Sequence, residues 1–313
     1  MGSCIDAMSE AFAAYSGGRA ELPAVIHLDI PEHHGEVHVK GGYVHGGDHY
    51  AVKFASGFPG NEALGLAAND GLVLVFDART GTPAAFLLDH GFITNQRTGA
   101  AGGVAARHLA RENIASVAVL GTGLQARYQL DALSQVRAFE EVHIWGRDAS
   151  HALACVEDLR ARPGMPEGAT FHMARSVEEA VLGADILITC TGSTEALVRD
   201  EWLSPGMHIT ALGSDGHGKQ ELDPRILERA DVLVVDSRSQ CAERGELQHA
   251  RSLLDTGKVI ELGEVVSGEA AGRTTDSQLT VCDLTGVGVQ DVAAASLVLK
   301  RAAEAGMGEM LPL

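Results

Sequence analysis

The spacing of apolar residues changes character three times along this chain. Residues 3–16 carry apolar positions at helical intervals, and Gly17-Gly18 ends that helix. From Val25 to about Leu88 the texture becomes short β-branched runs broken by glycine: Val25–Leu28, Glu36–Val39, His49–Ala55, Gly71–Asp77 and Pro83–Asp89. Asp77-Ala-Arg-Thr-Gly81 reads as the hairpin turn between the last two, so this region predicts a curved antiparallel sheet. Residues 94–110 form an alanine-rich helix with several glycines, suited to close backbone approach. Strands and helices then alternate, with strands expected at Ser116–Leu120, Val142–Trp145, Ala169–Met173, Ile186–Cys190, His208–Leu212, Val232–Asp236 and Leu279–Asp283. That alternation predicts a parallel sheet with right-handed crossovers. A final helix, Val289–Ala305, is expected to return to the N-terminal sheet. The fold class is therefore α/β: a Rossmann-type doubly wound parallel sheet plus an N-terminal antiparallel-sheet (α+β) domain. The expected division is 1–106 with 289–313, against 107–288.

Where the alternation begins, Val117-Ala-Val-Leu-Gly121-Thr122-Gly123-Leu124-Gln125-Ala126 reads as a buried strand, a tight glycine turn and a helix start. This arrangement seats a dinucleotide pyrophosphate on a helix N-terminus. Gly121 permits the turn, Gly123 lets the backbone approach the phosphates, and Ala126 allows helix and strand to pack closely. After the next strand comes Trp145-Gly-Arg147-Asp148. An arginine there welcomes the extra phosphate of NADP, while a carboxylate takes the ribose hydroxyl of NAD, so both cofactors stay open. Asp148 also suits a helix cap.

Bulk properties exclude several classes. Of 313 residues, 45% are hydrophobic and 21% charged, which builds a globular core readily. A formal charge of −18 repels phosphate backbones, so no nucleic-acid partner is expected. Cys4, Cys155, Cys190, Cys241 and Cys282 are scattered, as in a reduced cytoplasmic protein. No apolar run approaches the length of a membrane span, and Met-Gly-Ser-Cys-Ile-Asp lacks the features of a signal peptide. His27, His33, His34, His38, His45 and His49 match no metal-ligand spacing, and no metal is expected.

Three cations lie in or beside the N-terminal sheet region: Lys40, Lys53 and Arg97. Lys53 interrupts an otherwise largely apolar strand, and Arg97 stands near a helix start whose dipole does not favour it. Capture of an anionic ligand, a substrate carboxylate in particular, explains both; internal pairing with an Asp or Glu is the alternative. Asp215, between Gly213 and Gly216 after the strand His208–Leu212, suits a general acid/base or the partner of a substrate amine, and equally a helix cap.

These residues lie in motifs that resemble the ornithine cyclodeaminase/mu-crystallin family over essentially the whole chain. They are Val52-Lys53 with Gly57-Phe-Pro-Gly-Asn61, Asp77-Ala-Arg-Thr-Gly81, Ile93-Thr-Asn-Gln-Arg97-Thr98, Gly121-Thr-Gly123-Leu-Gln-Ala126, Gly213-Ser-Asp215-Gly-His-Gly-Lys219-Gln-Glu221, and Asp283-Leu-Thr-Gly-Val-Gly-Val-Gln-Asp291. Lys40-Gly-Gly-Tyr, Asp89-His-Gly-Phe-Ile-Thr, Trp145-Gly-Arg-Asp, Gly245-Glu-Leu-Gln-His-Ala250 and Glu261-Leu-Gly-Glu-Val-Val are similar to its ectoine-utilisation branch. The resemblance implies a homodimer built on the N-terminal sheet and a small amino-acid or imine substrate. It implies that Lys53 and Arg97 hold the substrate carboxylate and that Asp215, the catalytic residue together with Lys53, handles the reacting amine or water; Lys40 is the candidate to substitute for an early arginine of the family. NAD or NADP contacts are implied at Thr98, Gly121, Thr122, Gly123, Leu124, Gln125, Arg147, Asp148, Thr191, Gly213 and Asp215. One departure matters: cyclodeaminases of the family carry a further arginine early in the sheet region, and Val25-Ile26-His27 stands roughly in its place. Net redox on an amino acid or imine is therefore the first expectation. Cyclodeamination with internally recycled cofactor, or a crystallin-like binding role, stands behind it.

Overall fold

The structure is a computed structural model and describes residues 1–311. The strands, in chain order, are β1 (Ala20–Glu21), β2 (Ile26–Ile30), β3 (Gly35–Val44), β4 (His49–Gly57), β5 (Asn69–Asp77), β6 (Pro83–Leu87), β7 (Ser116–Leu120), β8 (Glu141–Trp145), β9 (Thr170–Met173), β10 (Ile186–Thr189), β11 (Thr194–Val198), β12 (His208–Ala211), β13 (Gln220–Leu222), β14 (Val232–Val235), β15 (Val259–Glu261) and β16 (Thr280–Asp283). By packing, the chain divides into two units. The larger joins Met1–Ser16 to Thr98–Gly286, and the smaller joins Gly17–Arg97 to the stretch from Val287 onward.

The larger unit is built on an eight-stranded parallel sheet in the order β15-β14-β16-β12-β10-β7-β8-β9. β7, β10, β12, β14 and β16 are buried at every position, as strands covered on both faces should be. The strand order reverses between β7 and β10, with the chain stepping outward to β8 and β9 on one side and to β12 on the other. Crevices for ligands open at such a point, beyond the carboxyl ends of the strands. β11 and β13 form a separate parallel pair.

In the smaller unit, β1, β3, β4, β5 and β6 form an antiparallel sheet in that order, and β2 pairs with β3. The Asp77 carboxylate accepts from the Arg79 and Thr80 amides (both 2.9 Å), and Gly81 takes φ +72°, which makes the expected hairpin turn. The helix Gly288–Ala305 packs on β3 and β4, as its amphipathic pattern predicts. A Cβ on Gly288 would lie 2.3 Å from the Gly41 carbonyl oxygen, so helix and strand touch backbone to backbone here.

The unit boundaries differ from the expected ones. The N-terminal helix Gly2–Ser16 belongs to the larger unit, because its apolar stripe (Ile5, Met8, Phe12) is wholly buried there. A Cβ on Gly263 would come within 2.0 Å of the Phe12 carbonyl oxygen, which shows how closely the helix Leu262–Ser267 approaches it. The other boundary falls between Arg97 and Thr98, inside the helix Phe92–Leu109 rather than after it. Among the described residues no helix is long and apolar enough to cross a membrane.

Candidate active site

In the larger unit the glycine turn joins β7 to the helix Leu124–Leu133. Gly121 has φ +126°, and a Cβ there would meet Cys190 Sγ at 2.6 Å and its carbonyl oxygen at 2.8 Å. Only glycine fits. Gly123 is the helix N-cap, makes no side-chain cap bond, and has open space where a Cβ would stand. Arg127 fixes the turn from behind, donating through Nη1 to the carbonyls of Thr122 (2.8 Å) and Gly123 (3.0 Å) and through Nε to Asp158. The turn opens on a cleft of about 250 Å³ lined by Gly121, Thr122, Gly123, Trp145, Gly146, Arg147, Cys190, Thr191, Gly192, Ser193 and Leu197. An uncapped helix N-terminus facing a cleft between strand ends suits an anionic phosphate group.

The far side of that cleft is held by a residue to which the sequence reading assigned no role. Glu221 is fully buried, and its two oxygens accept from Thr189 Oγ1 (2.7 Å), the Thr191 amide (2.6 Å) and hydroxyl (2.7 Å), and the Gly213 amide (2.9 Å). One carboxylate thus ties the carboxyl ends of β10 and β12 together. Burial raises its pKa, and these hydrogen bonds act against that rise. A Cβ on Gly213 would strike the Thr191 carbonyl at 2.2 Å, so that glycine is a packing requirement. Such a role leaves little trace in sequence, because a buried glutamate with four neutral donors has no charged partner to announce it.

Other expected cofactor residues sit as follows. Thr98 accepts from Gln129 Nε2 (2.9 Å) through its carbonyl, Gln125 meets the same amide at 3.4 Å, and Leu124 is exposed. Asp148 does not line the cleft. Its carboxylate caps the helix Ala149–Ala161, accepting from the Ser150 (2.7 Å) and His151 (3.3 Å) amides, and these bonds with the Ser150 hydroxyl hold its pKa below the usual range. Arg147 alone of that pair lines the cleft. Asp215 stands in the loop after β12, half exposed, with one oxygen 2.6 Å from Lys219 Nζ. It is outside the cleft lining.

In the smaller unit the structure brings Lys53 and Arg97 together, but around a protein carboxylate. Lys53 Nζ (3.0 Å) and Arg97 Nε (3.1 Å) both donate to Asp291 Oδ1. Arg97 Nη1 lies 3.5 Å from Gln290 Oε1, which also accepts from the Val287 amide (2.8 Å). The side chains of Lys53, Arg97 and Asp291 are 3%, 7% and 2% exposed. Lys40 is the cross-strand neighbour of Lys53, so both occupy the same sheet face. Of the two explanations for these cations, internal pairing is therefore realised, with Asp291 as partner. Asp291 was missed because an aspartate in the first turn of a helix already has a routine explanation in the helix dipole.

The electrostatics are lopsided. Among the described residues Asp291 Oδ2 is buried without a hydrogen-bond partner, while Oδ1 takes two cations. Burial first, then the neighbouring Arg97 and Lys40, bring the pKa of Lys53 down to about 7 against the opposing pull of Asp291. Burial works to raise the Asp291 carboxyl, but Lys53 and Arg97 outweigh it and hold the pKa below the usual value. One carboxylate therefore serves two buried basic side chains, and a second anion there would favour the charged form of Lys53.

The whole chain matches known proteins. The model of the ornithine cyclodeaminase/mu-crystallin family covers residues 1–306. A protein of Rhizobium meliloti (strain 1021) that bears the name of a dehydrogenase is 42% identical, over 98% of this chain and 92% of its own. An archaeal alanine dehydrogenase dimer with bound NAD superposes with a TM-score of 0.88 at 33% identity, covering 99% of this chain and 94% of that one. The Δ(1)-pyrroline-2-carboxylate reductase of Thermococcus litoralis, in complex with NADH and L-proline, gives a TM-score of 0.90 at 31% identity, covering 98% and 95%. The chain belongs to the ornithine cyclodeaminase/mu-crystallin family.

Proposed function

We propose that this protein is an NAD(P)-dependent enzyme that catalyses net hydride transfer at the α-carbon of a small amino acid or its imine. The observation that carries the reading is the pair of buried basic side chains, Lys53 and Arg97, sharing one oxygen of Asp291, a prepared seat for a substrate carboxylate. Lys53 and Arg97 would hold that carboxylate, with Lys40 on the same face, and Asp291 keeps both cations oriented before substrate arrives. In the larger unit, Gly121, Thr122 and Gly123 with the first turn of the helix Leu124–Leu133 would hold the dinucleotide phosphates, and Thr191 and Gly213, fixed by Glu221, would shape the opposite wall. Thr98, Leu124 and Gln125 complete that surround. The nicotinamide supplies or accepts the hydride. Asp215 would carry the proton of the reacting amine or water, exchanging its Lys219 contact to do so.

The partner is a second copy of the chain. Register places Ile26, Phe54 and Leu72 in one cross-strand row, and Leu74 with Phe86 in the next, on the face opposite Lys53. Ile26, Leu28, Phe54 and Phe86 are 55%, 53%, 39% and 56% exposed, an apolar sheet face of the kind a symmetric partner covers. The similarity of the motifs from Lys40 and Gly245 supports membership of the ectoine-utilisation branch, and the free cysteines suit the cytoplasm.

The reading is tested by incubating the protein with NAD⁺ or NADP⁺ and a panel of amino acids, following reduced cofactor and ammonia together. Reduced cofactor accumulating in step with substrate consumed supports it. Ammonia without reduced cofactor would assign the cyclodeaminase reaction instead, and silence in both directions would leave a binding protein.

A further inference from the structure

Two histidines far apart in the sequence pattern meet across the β2–β3 hairpin. His27 and His38 are direct cross-strand partners, with Nδ1 of one 3.4 Å from Nδ1 of the other and the rings edge to face. Each ring's outer nitrogen faces a carboxylate on the same strand: His27 Nε2 lies 2.9 Å from Asp29 Oδ1, and His38 Nε2 lies 3.5 Å from Glu36 Oε2. A carboxylate accepts and does not donate, so the 2.9 Å contact puts the hydrogen of His27 on Nε2 and leaves its Nδ1 as an acceptor. Opposite it, His38 Nδ1 at 3.4 Å either donates a hydrogen to the His27 lone pair or, with its own hydrogen on Nε2, presents a second lone pair. In the second arrangement a cation bridges the two nitrogens.

We propose that His27 and His38 form a binding site for a divalent transition-metal ion of the imidazole-preferring class, Zn²⁺ being the probe of choice. Two nitrogens each about 2.05 Å from a tetrahedral zinc are about 3.3 Å apart, close to the separation seen here. The Asp29 carboxylate on His27 Nε2 is the outer acceptor that orients a metal-bound histidine and fixes its tautomer. Ligand atoms of His27, Glu36 and His38 all lie within 4.8 Å of one another, so the exposed Glu36 reaches the ion as a third ligand by a change of rotamer, and water completes the set. Among the described residues β2 pairs only with β3, so the ion would clip an edge strand in register. The site lies two residues along β3 from Lys40 on the same sheet face, and does not depend on the proposed reaction.

The test is zinc binding by the whole protein after treatment with a chelator, by competition with a chromophoric indicator at pH 7.5 and by thermal shift. We expect one Zn²⁺ per chain, a melting temperature that rises with zinc, and affinity reduced at least tenfold by His27→Gln or His38→Gln. Asp29→Asn should weaken binding by roughly 10–100-fold, as loss of an outer-shell partner does. His143→Gln, which alters the stacked pair with His172 on β8 and β9, should change nothing. Because the His27 and His38 side chains are 39% and 25% exposed, both variants should fold, which circular dichroism checks. The proposal fails if the wild type binds no zinc, or if the His27→Gln/His38→Gln double variant binds it equally well.

Discussion

Lys53 and Asp291 stand 238 positions apart in sequence and form a 3.0 Å ion pair that is almost wholly shielded from water. Breaking such a pair from one side costs far more than the pair itself contributes, because an uncompensated charge stays buried. Asp291→Asn should therefore lower the unfolding free energy by about 3–5 kcal/mol. Urea denaturation measures it; a loss under about 1 kcal/mol would mean that the cluster is hydrated in solution.

The lowered pKa of Lys53 makes stability depend on pH. Its folded value, about 7, lies below the ordinary 10.5, so between those values the unfolded chain binds the extra proton. Stability contributed at this site is thus lowest below pH 7 and rises as pH climbs toward 10.5. The urea midpoint should shift upward from pH 7 to pH 9 in the wild type, and less so in Lys53→Met. Equal shifts in the two proteins would remove Lys53 as the cause.

Arg97 should act on substrate more than on turnover. A charge-assisted bond is worth roughly 1.5–3 kcal/mol, so Arg97→Ala should raise KM by about 10–150-fold once an active substrate is in hand. Unchanged KM would take Arg97 out of the carboxylate grip.

The two glycines of the turn should fail differently. Gly121→Ala forces a strained φ and overlaps Cys190, so it should lower the melting temperature as well as nucleotide binding. Gly123→Val meets no protein atom, so the fold should survive while calorimetric NADH binding disappears. Tight NADH binding by Gly123→Val would place the nucleotide elsewhere.

Arg147 lines the cleft while Asp148 is spent on its own helix cap. Arg147→Ala should consequently weaken NADP⁺ by roughly 1.5–3 kcal/mol and NAD⁺ much less. Equal losses for both cofactors would show that Arg147 does not read the 2′-phosphate.

Much of this architecture is legible in the chain because buried parallel strands are continuous apolar runs. Ser116–Leu120 is read to the residue, and the neighbouring strands to within one. Val259–Glu261 and Gln220–Leu222 are not, since three residues make too short a run, and Thr194–Val198 is not, since three of its five residues are exposed. In the smaller unit the cations were conspicuous because lysine and arginine rarely enter apolar stretches unpaired. Their partner Asp291 was hidden by distance along the chain. The His27–His38 contact was hidden for another reason: only the β2–β3 register sets those two residues opposite each other, and a one-residue slip would put them on different faces.

The account rests on hydride leaving the α-carbon for the cofactor and staying there. The most direct measurement uses an amino acid oxidised in the panel, deuterated at the α-carbon, with excess oxidised cofactor. Deuterium accumulating at C4 of the reduced nicotinamide, one per substrate consumed, is the predicted result. Deuterium retained at the α-carbon of an ammonia-free product, with no labelled cofactor accumulating, would contradict it.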